Sequence, residues 1–184
     1  MARPPLARTK ILEAYVWLLC EEGERSATMD ATAARADVSK GGLLYHFATK
    51  EALARAVISH CADLAAEDFR QMATAPEGPA AHYVRTSAIL GTEFDRYLLA
   101  VERLGQAGMD EARVALQKIQ RRWYELILAE VPDPASAQAI MLIGEGLYAH
   151  AGRPAWWHDA DFADRLAQLL ELVAKLRKLS NLNE

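Results

Sequence analysis

Apolar residues recur every three to four positions along most of the chain, and no segment shows the strict alternation that is typical of a β-strand. Ile11, Tyr15 and Leu19 belong to the first apolar stripe, which ends near Gly23. The last stripe runs from Phe162 to Leu176. This periodicity predicts an all-α protein.

Breaks in the pattern set the expected helix ends. The sequence PEGP at 76–79 follows a long stripe that begins near Lys50. Beyond it we expect one helix from about Pro79 to Phe94 and the next from about Asp95 to Gln106. Further on, Asp133 followed by Pro134 predicts the start of another helix, because aspartate caps helices and proline fits their first position.

Two adjacent glycines at 41–42 interrupt a segment that otherwise looks helical, with Ser39 as its cap. Each glycine costs a helix about 1 kcal/mol relative to alanine, so something other than helix stability must favour them. At about 100° per residue, Leu43 and Phe47 share the side that faces the core. The glycines and Tyr45 then lie on the opposite side, where another molecule can approach the backbone closely.

Short helices on either side of a tight turn, with a third helix across them, predict a helix-turn-helix unit. Its recognition helix would begin at Lys40 and present the glycine face to the major groove. Lys50 begins the next helix, where its charge and the free backbone N–H groups are able to bind a phosphate group of the DNA backbone. Thr28, at the start of the preceding helix, fits phosphate contact and a role as helix cap alone equally well. The predicted DNA-binding residues are Thr28, Lys40, Gly41, Gly42, Leu44, Tyr45, His46 and Lys50.

Other roles are open for single members of this set. Tyr45 and His46 also fit a helix end that packs against its neighbour, and Lys50 alone would be an ordinary solvated lysine. Their joint placement beside one face favours DNA contact for Tyr45 and Lys50. For His46, DNA contact and packing against the neighbouring helix stay equally open.

The segment ATMDATAARADVSKGGLLYHFATKEALARAVI resembles the N-terminal domain of the TetR family of bacterial transcriptional regulators, and the likeness runs from about Thr9 to Ile58. The resemblance implies a three-helix DNA-binding domain at 1–49, joined by a fourth helix to a larger helical ligand-binding and dimerisation domain at 50–184. It also implies a homodimer that pairs through the last two helices and binds a palindromic operator. Repression, relieved by a small-molecule effector, is the tendency of this family.

Asp37 departs from the family pattern, which commonly has glycine in the turn between the two short helices. The backbone there adopts a left-handed conformation, and aspartate is among the few other residues that tolerate it. We therefore expect a positive φ at Asp37 and a small loss of stability.

The net charge of −4 is unevenly distributed along the chain. Residues 1–60 hold eight Lys/Arg and seven Asp/Glu, for a charge of +1, whereas residues 61–184 hold thirteen and eighteen, for −5. The acidic balance therefore does not exclude DNA binding by the N-terminal part, because phosphate contact depends on the local face.

Several other kinds of protein are disfavoured by the sequence. Cys20 and Cys61 match no metal-ligand spacing and are expected to be buried free thiols. The run at 144–149 fits a dinucleotide-binding pattern, but no strand precedes it, so neither an enzyme nor a bound cofactor is predicted. Without a membrane span or a signal peptide, we expect a cytoplasmic protein. The alternative to a DNA-binding regulator is a helical partner-binding protein that does not recognise DNA.

The C-terminal part offers candidate ligand-binding residues. A carboxylate at Glu145, within the apolar pattern of 140–147, needs a partner such as Arg121, Arg122 or a cationic ligand. Aromatic faces beside a carboxylate would suit an aromatic cation, although aromatic residues at helical spacing also fit an ordinary core. The predicted set is Trp123, Tyr124, Met141, Glu145 and Tyr148, with His150, Trp156 and Trp157 as further polar or aromatic groups.

Overall fold

The computed structural model describes residues 4–89, 91–151 and 161–180. These residues form nine helices and no strand, which confirms the all-α prediction. The helices are α1 (Pro4–Glu21), α2 (Met29–Arg35), α3 (Lys40–His46), α4 (Lys50–Thr74), α5 (Pro79–Ser87), α6 (Glu93–Gln106), α7 (Asp110–Glu130), α8 (Pro134–Ala151) and α9 (Phe162–Ser180).

The chain divides into two compact units. One unit contains the chain up to Ala65 together with Glu93–Lys118, and the other contains Ala66–Thr92 together with Ile119 onward. Helices α4 and α7 therefore each contribute residues to both units. None of the described helices is long and apolar enough to cross a membrane.

The first unit is built on α1, whose predicted apolar stripe is buried. Ile11, Tyr15 and Leu19 are fully enclosed, and α1 packs against α2, α3 and α6. Cys20 is half-buried and its thiol contacts the carbonyl oxygen of Arg96 on α6 at 3.4 Å. Burial raises the pKa of this thiol to about 11, so it stays protonated at neutral pH.

The second unit has its own core, formed mainly by α5, α7, α8 and α9. Gly144 of α8 lies against α5: a Cβ added there would stand 2.3 Å from Cε1 of Tyr83 and 2.9 Å from Oγ of Ser87. The missing side chain therefore allows α5 to pack closely on α8 within the chain.

Glu130, at the end of α7, connects three helices of the second unit. Its Oε2 accepts a hydrogen bond from the N–H of Ala80 in the first turn of α5, at 2.8 Å. Its Oε1 lies 2.7 Å from the Arg177 guanidinium on α9. Gly78 precedes α5 at a φ of +91°, and a Cβ there would stand 2.0 Å from the same carboxylate. Glycine at this position therefore allows the carboxylate to reach the open end of α5.

The predicted boundary between the fifth and sixth helices is wrong. Helix α5 ends at Ser87 rather than near Phe94, and α6 begins at Glu93 rather than at Asp95. Gly91, between them, has a φ of +94°. Since only glycine adopts that conformation readily, the backbone at Gly91 prevents a single helix from continuing to Phe94.

Asp37 has a φ of +53° and is the one non-glycine residue with a positive φ among the residues that the structure describes. We expect Asp37→Gly to raise the free energy of unfolding by about 0.5 kcal/mol and Asp37→Ala to lower it by about 1 kcal/mol, because alanine tolerates the left-handed conformation less well. Urea unfolding followed by circular dichroism measures both. Asp63→Ala, which removes the same charge from an exposed position inside α4, is the control and should not destabilise.

Candidate nucleic-acid interface

Helix α3 is held by one buried side and leaves the other side open. Leu43 is fully enclosed and Phe47 is 4% exposed, as predicted for the core side. The guanidinium of Arg8 lies over the Phe47 ring, 5.1 Å from its centroid. The orientation of α3 is therefore set by these two apolar side chains, which direct the remaining positions outward.

The outward side carries the predicted DNA-binding residues of α3. Tyr45 is 84% exposed and Leu44 is 42% exposed. Gly41 is exposed, and a Cβ there would meet no atom within 4 Å. The ring of half-buried His46 stands nearly perpendicular to that of Tyr45, at an angle of 79°, with the ring centroids 5.2 Å apart. The structure thus places these four residues on or beside one accessible face.

Both short helices begin with the predicted caps. The Ser39 hydroxyl accepts a hydrogen bond from the N–H of Gly42 at 3.0 Å, and the Thr28 hydroxyl accepts one from Ala31 at 3.1 Å. A Cβ at Gly42 would stand 3.2 Å from the Ser39 hydroxyl, so this glycine also leaves room for the cap. Thr28 therefore acts as a cap, and its exposed position leaves the proposed phosphate contact open.

The two candidate lysines already have acidic partners. Lys40 Nζ lies 2.8 Å from Oδ1 of Asp30 on α2. Lys50 Nζ lies 2.7 Å from Oε1 of Glu24 and also donates a hydrogen bond to the Glu24 carbonyl oxygen at 2.9 Å. Sequence reasoning missed both pairs, since Asp30 and Glu24 are ten and twenty-six positions away from their lysines.

A further carboxylate stands at the start of α4. Hydrogen bonds from its own N–H and from the Thr49 hydroxyl hold the pKa of Glu51 below its usual range. The Thr49 hydroxyl also accepts a hydrogen bond from the N–H of Ala52, at 3.1 Å, and so caps the helix. A phosphate near Lys50 would therefore meet an ionised carboxylate next to it.

The predicted ligand-binding residues lie in the second unit. Met141 is buried in its core, and Trp123 and Tyr124 pack against that core, while Tyr148 is half-buried. Glu145 is exposed, so the expectation of an enclosed carboxylate at this position is wrong; the apolar run of α8 has a solvent-facing side there. The side chain of His150 and the residues Trp156 and Trp157 lie outside the described part of the chain.

A carboxylate that sequence reasoning missed stands beside the aromatic residues of this unit. Asp68 of α4 accepts a hydrogen bond from the indole N–H of Trp123 at 2.7 Å. The rings of Phe69 and Tyr83 lie 6.4 and 5.6 Å from the Trp123 ring. Burial, followed by the charges of Glu145 and Asp68, raises the pKa of Tyr83. Half-buried Asp68 occurs on a mostly polar part of α4, so the sequence pattern alone gave no signal for it.

An open cleft of about 1180 Å³ lies in the first unit, between α1, α2 and α6. Trp17 forms part of its wall, and the Arg35 guanidinium lies 3.1 Å from the centroid of the Trp17 ring. None of the predicted DNA-binding or ligand-binding residues lines this cleft.

Residues 11–57 match the family model described as bacterial regulatory proteins, tetR family, which confirms the resemblance seen in the sequence. The matched segment contains every predicted DNA-binding residue. No curated protein sequence shows a significant match to the chain.

Solved structures with the same fold cover nearly the whole chain. GusR of Salmonella enterica has a TM-score of 0.67 at 19% identity, over 95% of this chain and 98% of its own. SCO7518 of Streptomyces coelicolor A3(2) has a TM-score of 0.64 at 24% identity, over 94% and 99%. The multidrug binding protein EbrR, complexed with malachite green, has a TM-score of 0.62 at 21% identity, over 92% and 96%.

The open space at Gly41 leads to a stability prediction. We expect Gly41→Ala to raise the free energy of unfolding by about 0.5–1 kcal/mol, because the new methyl group meets no neighbour and alanine favours the helix. Gly42→Ala is the matched comparison and should gain less, since its Cβ would crowd the Ser39 cap. Thermal unfolding of both variants measures the difference, and destabilisation by Gly41→Ala would contradict an open face.

Proposed function

We propose that this chain, whose residues 11–57 match the tetR family model, is a ligand-responsive transcriptional repressor that binds a palindromic operator as a homodimer. The observation that carries the proposal is the outward side of α3, where exposed Tyr45 and the bare backbone of Gly41 stand opposite buried Leu43. A helix with this arrangement fits the major groove, because close backbone approach brings Leu44 and Tyr45 to the base edges.

Exposed leucines on α8 and α9 support pairing through these helices. Leu142 of α8 and Leu179 of α9 are each 58% exposed, and Leu172 of α9 is 42% exposed. Large apolar groups exposed on neighbouring helices are typical of surfaces that pair with a second copy. A two-fold dimer would present two copies of α3 to half-sites about one helical turn apart, which is why the operator is proposed to be palindromic.

The aromatic residues near Asp68 support an aromatic cation as the effector. Its carboxylate offers a negative charge beside the Trp123 ring, and Phe69 and Tyr83 extend the aromatic surface. A delocalised cation is attracted both to the carboxylate and to the ring faces. EbrR, which shares the fold, was solved with malachite green, a molecule of this kind.

The repressor mechanism requires two states of the dimer that differ in the spacing of their recognition helices. An effector shifts the balance only through its different affinity for the two states. Helix α4 supports such a mechanism, because it is continuous from Lys50, beside the DNA-binding residues, to Thr74, beyond Asp68. Displacement of Asp68 by a ligand would act on the same helix that begins at the proposed phosphate contact.

Substitution on the exposed face tests DNA binding. We expect Tyr45→Ala to weaken binding to a duplex, selected from a random pool by the full chain, by about tenfold or more, since a base contact is worth about 1–3 kcal/mol. Lys50→Ala should weaken binding to any duplex and reduce the salt slope by about one. Fluorescence anisotropy across a salt series measures both effects.

Lys118→Ala, at an exposed position of α7, is the matched control for charge and should leave affinity unchanged. The exposure of Tyr45 means that its variant should keep the wild-type unfolding temperature. If both Tyr45→Ala and Lys50→Ala bind as tightly as the wild type, the DNA assignment fails. Binding of a protein partner that hardly changes with salt would instead favour the alternative function.

Malachite green is the probe for the effector site. At one hundred times its dissociation constant it should add about 2.7 kcal/mol to the free energy of unfolding. Asp68→Asn keeps an acceptor for the Trp123 N–H but removes the charge, and we expect it to weaken dye binding at least tenfold. Asp63→Asn, on the same helix, is the control. Equal dye affinity in the Asp68 variant would show that this carboxylate does not bind the cation.

A further inference from the structure

We propose that Asp30 and Glu24 restrain the affinity of this protein for DNA. Each carboxylate holds one lysine of the candidate interface, Lys40 or Lys50, in an ion pair that a phosphate must replace. The inference rests on the DNA-binding function proposed above and assigns a regulatory role to two acidic residues at the same site.

Asp30 and Lys40 form the more accessible pair. Lys40 Nζ lies 2.8 Å from Oδ1 and 3.2 Å from Oδ2 of Asp30, so both carboxylate oxygens face the ammonium group. The side chains are 71% and 62% exposed, respectively. An exposed pair of this kind is weak and salt-sensitive, so a DNA phosphate is able to displace it.

Glu24 and Lys50 form a more enclosed pair. Lys50 has two acceptors on the same residue, the carboxylate at 2.7 Å and the backbone carbonyl at 2.9 Å. The side chains of Lys50 and Glu24 are 30% and 34% exposed. The carbonyl orients the ammonium group without cancelling its charge, whereas the carboxylate cancels it. Removal of the Glu24 charge should therefore leave Lys50 in place.

The two pairs weaken phosphate contacts more than base contacts. Phosphate contacts contribute binding energy on any sequence, whereas exposed Leu44 and Tyr45 are placed to reach base edges. A protein whose interface lysines are partly neutralised binds all DNA less tightly, so base contacts make up a larger share of the binding energy that remains. The acidic residues thus lower the affinity for any duplex and leave the ratio of affinities between two sequences unchanged.

The test measures DNA affinity of the full chain and its Asp30→Asn variant on two duplexes of equal length, one selected from a random pool and one with its sequence scrambled. We expect Asp30→Asn to bind both duplexes about fivefold more tightly, the factor that corresponds to loss of one exposed ion pair. Glu24→Gln should bind about twofold more tightly, because the Lys50 charge is more enclosed.

Two further variants show whether the effect acts through the lysine. In the Lys40→Ala background, Asp30→Asn should have no effect on affinity, because no ion pair remains to be removed. Asp63→Asn makes the same change in net charge about 20 Å along α4 from Lys50 and should leave affinity unchanged. Circular dichroism confirms that each variant is folded.

Three results would overturn the proposal. Weaker binding by Asp30→Asn would show that the carboxylate positions Lys40 for DNA, and unchanged binding would show that the pair is irrelevant. An equal gain in the Lys40→Ala background would assign the effect to the general field around the site. These outcomes differ from failure of the proposed function, in which the wild-type chain itself binds no selected duplex.

Discussion

Burial of Leu43 and Phe47 is the constraint on which the candidate interface depends. Leu43 lies within the seven-residue helix α3, and Phe47 is the residue that follows and caps it; among the described residues these two are the apolar side chains of this segment that the core encloses. Because a helix so short has little stability of its own, packing decides where it points. The opposite side is then available for Gly41 and Tyr45, whose exposure follows from the same two anchors.

Local chemistry accounts for most of what the sequence predicted correctly. The Ser39 and Asp133 caps, the left-handed turn at Asp37 and the buried stripe of α1 all depend on residues within a few positions of one another. Such features follow from propensity, capping and periodicity, which a single sequence contains. The all-α fold and the side of α3 that faces the core could therefore be predicted from the sequence alone.

Long-range contacts account for what the sequence did not reveal. Glu24 and Lys50 are separated by twenty-six positions, and Asp68 and Trp123 by fifty-five. Glu145 was expected to be enclosed because its neighbours in sequence are apolar, but one side of α8 faces solvent at that position. Periodicity describes the sides of one helix and does not say which side a second helix covers.

Glu130 makes the stability of the core of the second unit depend on the docking of α9. Its side chain is 15% exposed, and its charge is compensated by Arg177, which lies forty-seven positions later in the chain. Without α9 the carboxylate would keep only the N–H of Ala80 among its described partners. Helix α9 also supplies Val173, which is 2% exposed in the same core, so its docking completes both the charge balance and the apolar packing of the second unit.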